Sequence, residues 1–226
     1  MAQFEGETCY QCDAQATGRE HVPPKCLFPK GSNWPRLMTV PSCVTHNSAT
    51  SKADEYLKFL LGAIASHIPD AIRSSVARGA VRLAKKRSRD LHRYGLEWEG
   101  DALSIDKPIP LDFELLSACL KKIARALYFY HHRGKRKLLF DLQVWPLFIP
   151  VDPKINPRLT LAVDNVRAWS DLKFEQWPKF GSHQEIFAYQ ITEEPNLVIV
   201  NMEFYGAQRA AVMGSAGSAT TREDTP

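Results

Sequence analysis

Two pairs of potential metal ligands near the N-terminus constrain this chain most strongly. Two residues separate Cys9 from Cys12, and two residues separate Cys43 from His46. This gap lets both side chains of a pair turn onto one metal ion, and four such ligands complete the tetrahedron that zinc prefers. The alternative is a redox-active Cys-x-x-Cys pair, but the surrounding sequence lacks the strand–helix–strand pattern of thioredoxin-like proteins. The spacing therefore predicts a structural zinc site in a small N-terminal module, in which Cys26 could substitute for one ligand.

The length and composition indicate a globular protein with a small module fused to a larger one. The chain has 226 residues, of which 44% are hydrophobic and 24% are charged, which excludes disorder of the whole chain. No apolar run approaches the roughly 20 residues needed to cross a bilayer. The acidic start MAQFEGE is unlike a signal peptide. We therefore expect a cytoplasmic protein that has no membrane partner.

Basic residues are concentrated in two segments. Residues 71–93 contain eight Lys or Arg and one acidic residue, and residues 121–137 contain seven Lys or Arg and no acidic residue. Such segregation is typical of a surface that contacts a phosphate backbone, so nucleic acid, with DNA as the expected form, is the predicted partner. The alternative is a pair of amphipathic helices with solvated charged faces. The predicted nucleic-acid contacts are Lys52, Arg78, Arg82, Lys85, Lys86, Arg89 and Arg93.

Apolar spacing predicts three helices in the middle of the chain. A capping sequence at Ser51, followed by apolar residues at helical spacing, predicts a helix over residues 52–67. A second, basic helix is predicted over residues 70–95, after a proline breaks the first. The most regular alternation of apolar residues three and four apart lies over residues 112–134 and predicts the longest helix.

Strand-forming sequence dominates the C-terminal part. LEWEGDALSI (96–105) predicts a strand, a turn and a strand, and β-branched and aromatic residues predict further strands near the C-terminus. The predicted C-terminal strands are LLFDLQVWPLFI (138–149), LTLAVD (159–164), EIFAYQIT (185–192) and LVIVNMEFY (197–205). The last two should form a hairpin, and the small and polar residues from 207 onward predict a disordered tail.

The residues between and after the zinc pairs carry a family resemblance. REHVPP (19–24) lies between the pairs, and Asn47 and Lys52 follow the second pair. Cys-x-x-Cys, then an acidic residue directly before a histidine, then Cys-x-x-His with Asn and a downstream Lys, resembles the HNH endonucleases with a ββα-metal core. The resemblance covers about the first quarter of the chain. It implies that Glu20 and Asn47 hold a catalytic divalent cation, Mg²⁺ or Mn²⁺, and that His21 is the general base that activates water.

The residue types suit this chemistry. Hard divalent cations take oxygen ligands, such as the Glu20 carboxylate and the Asn47 amide. An imidazole titrates near neutrality, so His21 can accept a proton from water as the water attacks phosphorus. In the family, the acidic residue is commonly Asp and the last zinc ligand is commonly Cys, so His46 is alternatively a ligand of the catalytic metal. The middle Asn of the family motif has no clear counterpart in this sequence.

These patterns together predict an α+β fold. It comprises a small zinc-stapled ββα-metal module, then a helical segment and an antiparallel β region. The predicted units are an HNH nuclease module over residues 1–68, an accessory domain with basic helices over residues 69–206 and a disordered tail over residues 207–226. The predicted function is a metal-dependent endonuclease, and the alternative is a non-catalytic zinc module that binds nucleic acid or a protein partner.

Overall fold

A computed structural model of the chain describes residues 6–28, 36–48, 51–63, 96–99, 102–105 and 111–215. The described residues form an α+β fold, as predicted, with helices, two-stranded hairpins and a five-stranded antiparallel sheet. Within these ranges, no helix is both long and apolar enough to cross a membrane.

Two short strands and two helices form the N-terminal part. β1 (Gly18–His21) pairs antiparallel with β2 (Thr39–Ser42). The chain then forms the short helix α1 (Val44–Ser48) and the longer helix α2 (Ser51–Ala63), which confirms most of the helix predicted over residues 52–67. These elements follow one another as strand, strand, helix, helix, with Cys9 and Cys12 before β1 and Cys43 directly after β2.

A second hairpin follows in the described part of the chain. β3 (Leu96–Glu99) pairs antiparallel with β4 (Ala102–Ile105), which confirms the strand, turn and strand predicted over residues 96–105. The basic helix predicted over residues 70–95, with six of the predicted nucleic-acid contacts, lies outside the described residues.

The longest predicted helix is confirmed as α3 (Phe113–His131). It begins after Asp112, whose side chain accepts a hydrogen bond from the backbone N–H of Leu115 at 3.0 Å and so satisfies a donor that the first turn leaves free. Most of its buried residues are apolar and contact both the N-terminal part and the C-terminal sheet, so α3 lies at the centre of the core.

Residues 159–164, predicted as a strand, lie instead in the helix α4 (Pro157–Gln176), so that prediction was wrong. The Asn156 side chain accepts a hydrogen bond from the backbone N–H of Leu159 at 3.0 Å. Pro157 occupies the first helical position, where its missing N–H costs no hydrogen bond. These start signals outweigh the strand preference of the sequence that follows them.

The C-terminal part is an antiparallel sheet with the strand order β5-β9-β8-β7-β6. Its strands are β5 (Gln143–Trp145), β6 (Phe180–His183), β7 (Phe187–Glu194), β8 (Leu197–Phe204) and β9 (Gln208–Ser215). Successive residues of a strand face opposite sides, so Val200 and Met202 of β8 lie in the same core as α3, with Asn201 between them. Ile199, on the opposite face, clusters with Val163 of α4.

The sheet confirms some of the predicted strands and corrects others. β7 and β8 form the predicted hairpin, but only Gln143–Trp145 of the strand predicted over 138–149 is a strand. The tail predicted over 207–226 was wrong for Gln208–Ser215, because β9 pairs with β8 along its whole length. Packing requires the glycine at position 214, one of the small residues that suggested disorder. A Cβ at Gly214 would overlap the ring of Phe140.

The described residues of the N-terminal part and of the sheet share one hydrophobic core. Buried residues from Cys9 to Val212 form a single cluster that includes α2 and α3. The Tyr205 hydroxyl donates to the Leu27 carbonyl at 2.8 Å, and the Gln208 amide donates to the Leu61 carbonyl at 3.0 Å. The predicted boundary after residue 68 therefore does not separate two cores among the described residues.

Candidate metal centre and its surroundings

The four predicted zinc ligands lie together. The Nδ1 atom of His46 is 3.3 Å from the Sγ atoms of Cys9 and Cys43 and 3.5 Å from that of Cys12. All four ligand atoms lie within 4.8 Å of one another, and none of the cysteines is in a disulfide. Zinc–sulfur bonds of about 2.3 Å in a tetrahedron place sulfur atoms somewhat under 4 Å apart, and the Sγ atoms of Cys12 and Cys43 are 3.9 Å apart. The cluster therefore has the ligands and spacing of a structural zinc site.

Local hydrogen bonds hold the two ligand pairs in place. The backbone N–H of Cys9 donates to the Ala14 carbonyl at 2.8 Å, and that of Tyr10 donates to the Pro41 carbonyl at 3.0 Å. These bonds close the N-terminal turn and attach it to β2, which directly precedes Cys43. The backbone N–H of His46 lowers the pKa of the Cys43 thiol, which favours the thiolate that binds metal.

Lys122 of α3 lies between two carboxylates in the interior. Its ammonium is 3.2 Å from Oε1 of Glu20 on β1 and 2.6 Å from Oδ1 of Asp54 on α2. Lys122 is 3% exposed and Glu20 is 8% exposed, so both charges are removed from water. The Cys119 thiol also donates to Oδ1 of Asp54, at 3.4 Å. This cluster joins a strand and two helices and places the Glu20 carboxylate against α3.

Burial and charge act in opposite directions on this cluster. Burial lowers the pKa of Lys122, but the Asp54 carboxylate and the other groups around it outweigh burial and hold the pKa above its ordinary value. Burial raises the pKa of Glu20, and the attraction of Lys122 offsets only part of that rise. The lysine therefore stays charged, and it is the counterion that lets the two carboxylates remain inside the protein.

His21 lies at the end of β1, opposite Thr39 of β2, and is half-buried. Its position next to Glu20 in the strand turns it to the opposite face of the hairpin, away from the Lys122 cluster. Burial lowers the pKa of His21, and the nearby Lys25 lowers it further. His21 is therefore a neutral imidazole at neutral pH, able to accept a proton.

Asn47 is exposed on α1, beside the start of β1. A Cβ added at Gly18 would come within 3.0 Å of the Asn47 Nδ2 atom, so the absence of a side chain at Gly18 makes room for this amide. Gly18 and Glu20 face the same side of β1, because residues two apart in a strand do so. Asn47 therefore lies on the Glu20 side of the hairpin, about 10 Å along the strand from His21 at roughly 3.3 Å per residue.

The basic residues of the second charged segment have mixed roles. Besides Lys122, Arg125 donates to the Leu138 carbonyl at 3.2 Å, and Lys137 donates to the Cys12 carbonyl at 2.8 Å. These three cations stabilise the fold rather than forming an open surface. The residues of this segment that remain exposed are Arg133, Lys135 and Arg136, and the predicted phosphate contact Lys52 is also exposed, in the first turn of α2.

Lys122 and Asp54 are the residues of this region that the sequence did not predict. Counting charges along the sequence groups Lys122 with the surface cations of residues 121–137. The spacing of the zinc ligands does not predict which residue pairs with Glu20. The signal that marks Lys122 is its place in the apolar stripe of α3, three residues after Cys119 and four before Ala126, both of which are buried.

Comparison with known proteins does not place the chain in a family. No family model, no curated protein and no solved structure matches it.

Proposed function

We propose that the protein is an endonuclease that hydrolyses phosphodiester bonds in nucleic acid with the help of a divalent cation. The observation that supports this proposal is the place of His21, half-buried at the end of β1 in a hairpin that leads directly into α1. The HNH nucleases, which the first quarter of the sequence resembles, have a ββα core and use a histidine as the general base. The Cys3His cluster ties both ends of this unit together.

In the proposal, the Cys3His cluster holds a structural zinc ion. Zinc bound by Cys9, Cys12, Cys43 and His46 joins the N-terminal turn to the end of β2 and to α1. It would thereby fix Asn47, which follows His46 directly, against Gly18 of β1. A catalytic group needs this kind of rigid support, because small displacements from the productive geometry reduce the rate strongly.

His21 is the proposed general base. Its neutral imidazole accepts a proton from water while the water oxygen forms a bond to phosphorus, and the bond from phosphorus to the leaving oxygen then breaks. The leaving oxygen takes its proton from solvent. The environment of His21 favours the neutral form that this step needs, because burial and Lys25 both lower its pKa.

Asn47 and Glu20 are the proposed oxygen ligands of the divalent cation. An amide oxygen and a carboxylate are the donors that Mg²⁺ and Mn²⁺ take, and both residues lie on the same side of β1. When bound, the cation would stabilise the negative charge that develops on the phosphate. The fit is partial, since Glu20 is buried with Lys122 donating to its Oε1 atom, and His21 faces the opposite side of the hairpin.

That ion pair favours a second candidate function, a non-catalytic zinc module that binds nucleic acid. A carboxylate with an internal ammonium counterion needs no metal ion, so Glu20 and Lys122 can have a purely structural role. In this case His21 would be an ordinary strand residue, and the protein would bind nucleic acid without cutting it. Cleavage by the purified protein separates the two candidates.

Replacing His21 by Ala is expected to lower the rate of plasmid cleavage by about 10²- to 10⁴-fold in Mg²⁺ or Mn²⁺, the usual contribution of a general base. The change should leave the zinc content and the melting temperature unchanged. His131→Ala is the matched control, because His131 is also half-buried but contacts Phe180 and Tyr189 at the end of α3. Full cleavage by the His21 variant would contradict the assignment.

Binding to nucleic acid is expected to weaken as salt concentration rises, with little dependence on base sequence, because lysine and arginine contact phosphates. Replacing both Arg133 and Lys135 by Gln should lower the affinity and reduce the salt slope by about two. Fluorescence anisotropy of labelled DNA and RNA at several salt concentrations measures this. A slope that is the same in the variant would show that these residues do not contact phosphate.

A further inference from the structure

α4 has two opposite faces of similar spacing. Val163, Ser170 and Phe174 are buried against the sheet. Leu161, Ala168 and Leu172 each precede one of these by two residues, which is about 200° around a helix of 3.6 residues per turn. With Asn165 they form an outward stripe, hereafter the α4 stripe, directly opposite the sheet, and all four of its residues are exposed.

The α4 stripe is apolar at both of its ends. Leu161 is 64% exposed and Leu172 is 48% exposed, and only the small Ala168 and the neutral Asn165 lie between them. A helix that covers a sheet ordinarily has charged or polar residues on its outer face. Two exposed leucines three turns apart on one stripe therefore indicate a surface that another helix covers.

The charges of α4 determine which helix fits. Arg167 pairs with Asp164, Asp171 pairs with Arg209, and Lys173 lies over the rings of Trp169 and Trp177. Arg158 and Glu175 are the charged residues of α4 that have neither an ion pair nor an aromatic ring beneath them within the described part of the chain. Both are exposed, with Arg158 three residues before Leu161 and Glu175 three residues after Leu172.

We propose that α4 pairs antiparallel with α4 of a second copy of this chain, with Leu161 of each copy against Leu172 of the other. A twofold axis between Asn165 and Ala168 then places Arg158 of one copy at the same end of the interface as Glu175 of the other. A parallel pair would instead bring the two Arg158 residues together and the two Glu175 residues together, which like-charge repulsion opposes. The charges at the ends of the α4 stripe therefore complement those of a second copy only when the two helices run antiparallel.

The α4 stripe is smaller than the roughly 800 Å² per partner of a standard interface, so the dimer should dissociate at micromolar concentrations. Sedimentation velocity of the full chain across that range tests this. The double variant Leu161→Glu and Leu172→Glu should remain monomeric throughout. Leu139→Glu is the matched control, because Leu139 is 57% exposed and lies outside α4. A wild-type chain that stays monomeric, or a double variant that still dimerises, would overturn the proposal.

A charge exchange tests the direction of the pairing without changing its apolar residues. Arg158→Glu and Glu175→Arg should each raise the dissociation constant by about tenfold, since each places like charges at both ends of the interface. Combining the two substitutions should restore the affinity, because opposite charges again share each end of the interface. A combined variant that dimerises as weakly as the single variants would contradict the antiparallel arrangement.

Discussion

Replacing Cys43 by Ser is expected to release the zinc ion and to lower the melting temperature by roughly 10 °C, which corresponds to a loss of about 3–5 kcal/mol in a chain of this size. Cys43 directly follows β2 and lies beside ligand atoms from the N-terminal turn and from α1, so an ion bound there would join these segments. Zinc content per chain and thermal unfolding measured on the same preparation test this. If cobalt is bound in place of zinc, the absorption spectrum of the protein should be that of a cobalt–thiolate complex.

Cys26→Ser is the matched control for the zinc prediction. Cys26 is half-buried and outside the Cys3His cluster, and its thiol donates to the Asp54 carbonyl at 3.6 Å. This variant should keep one zinc ion per chain and a nearly unchanged melting temperature. Loss of zinc from the Cys26 variant, or retention of zinc by the Cys43 variant, would show that the ligand set is different.

Replacing Lys122 by Met is expected to destabilise the protein by about 3–5 kcal/mol, because it leaves the buried Glu20 and Asp54 carboxylates without a counterion. Lys121→Met is the control on the same helix. Among the described residues, the Lys121 ammonium pairs with the exposed Asp141 carboxylate, so its loss should change the stability little. Urea unfolding of the two variants measures the difference.

A compensating variant separates charge from packing at Lys122. Adding Glu20→Gln and Asp54→Asn to Lys122→Met should recover a large part of the lost stability, since neutral amides need no counterion. If the Lys122 variant is as stable as the Lys121 variant, the carboxylates reach water or another cation, and the buried ion-pair cluster does not exist as described.

The candidate zinc site was predictable because metal ligation places strict demands on local spacing. Two residues between Cys9 and Cys12, and between Cys43 and His46, allow chelation whatever the rest of the fold does. α3 was equally predictable, since its apolar period extends over five turns and Asp112 caps it. Local signals of this kind act within a few residues, so the sequence displays them directly.

Two of the differences from the sequence predictions concern contacts between distant parts of the chain, and the third concerns a local helix start. Lys122 pairs with Glu20 across 102 residues, and no local pattern specifies that partner. Gly214 of β9 lies beside the Phe140 ring and Leu142, which leave no space for a Cβ, so a small residue there reflects packing and not disorder. For residues 159–164, strand propensity suggested a strand, whereas Asn156 and Pro157 start a helix. Tertiary packing decided the first two cases and capping decided the third.

The most direct test of the proposed function is incubation of the zinc-loaded chain with supercoiled plasmid and with single-stranded RNA, in Mg²⁺, in Mn²⁺ and in EDTA. The proposal predicts that at least one substrate is cleaved. The cleavage should require the added divalent cation, and the structural zinc should stay bound. A preparation with one zinc ion per chain that binds both nucleic acids in Mg²⁺ and Mn²⁺ but cuts neither would contradict it. That result would favour the non-catalytic zinc module.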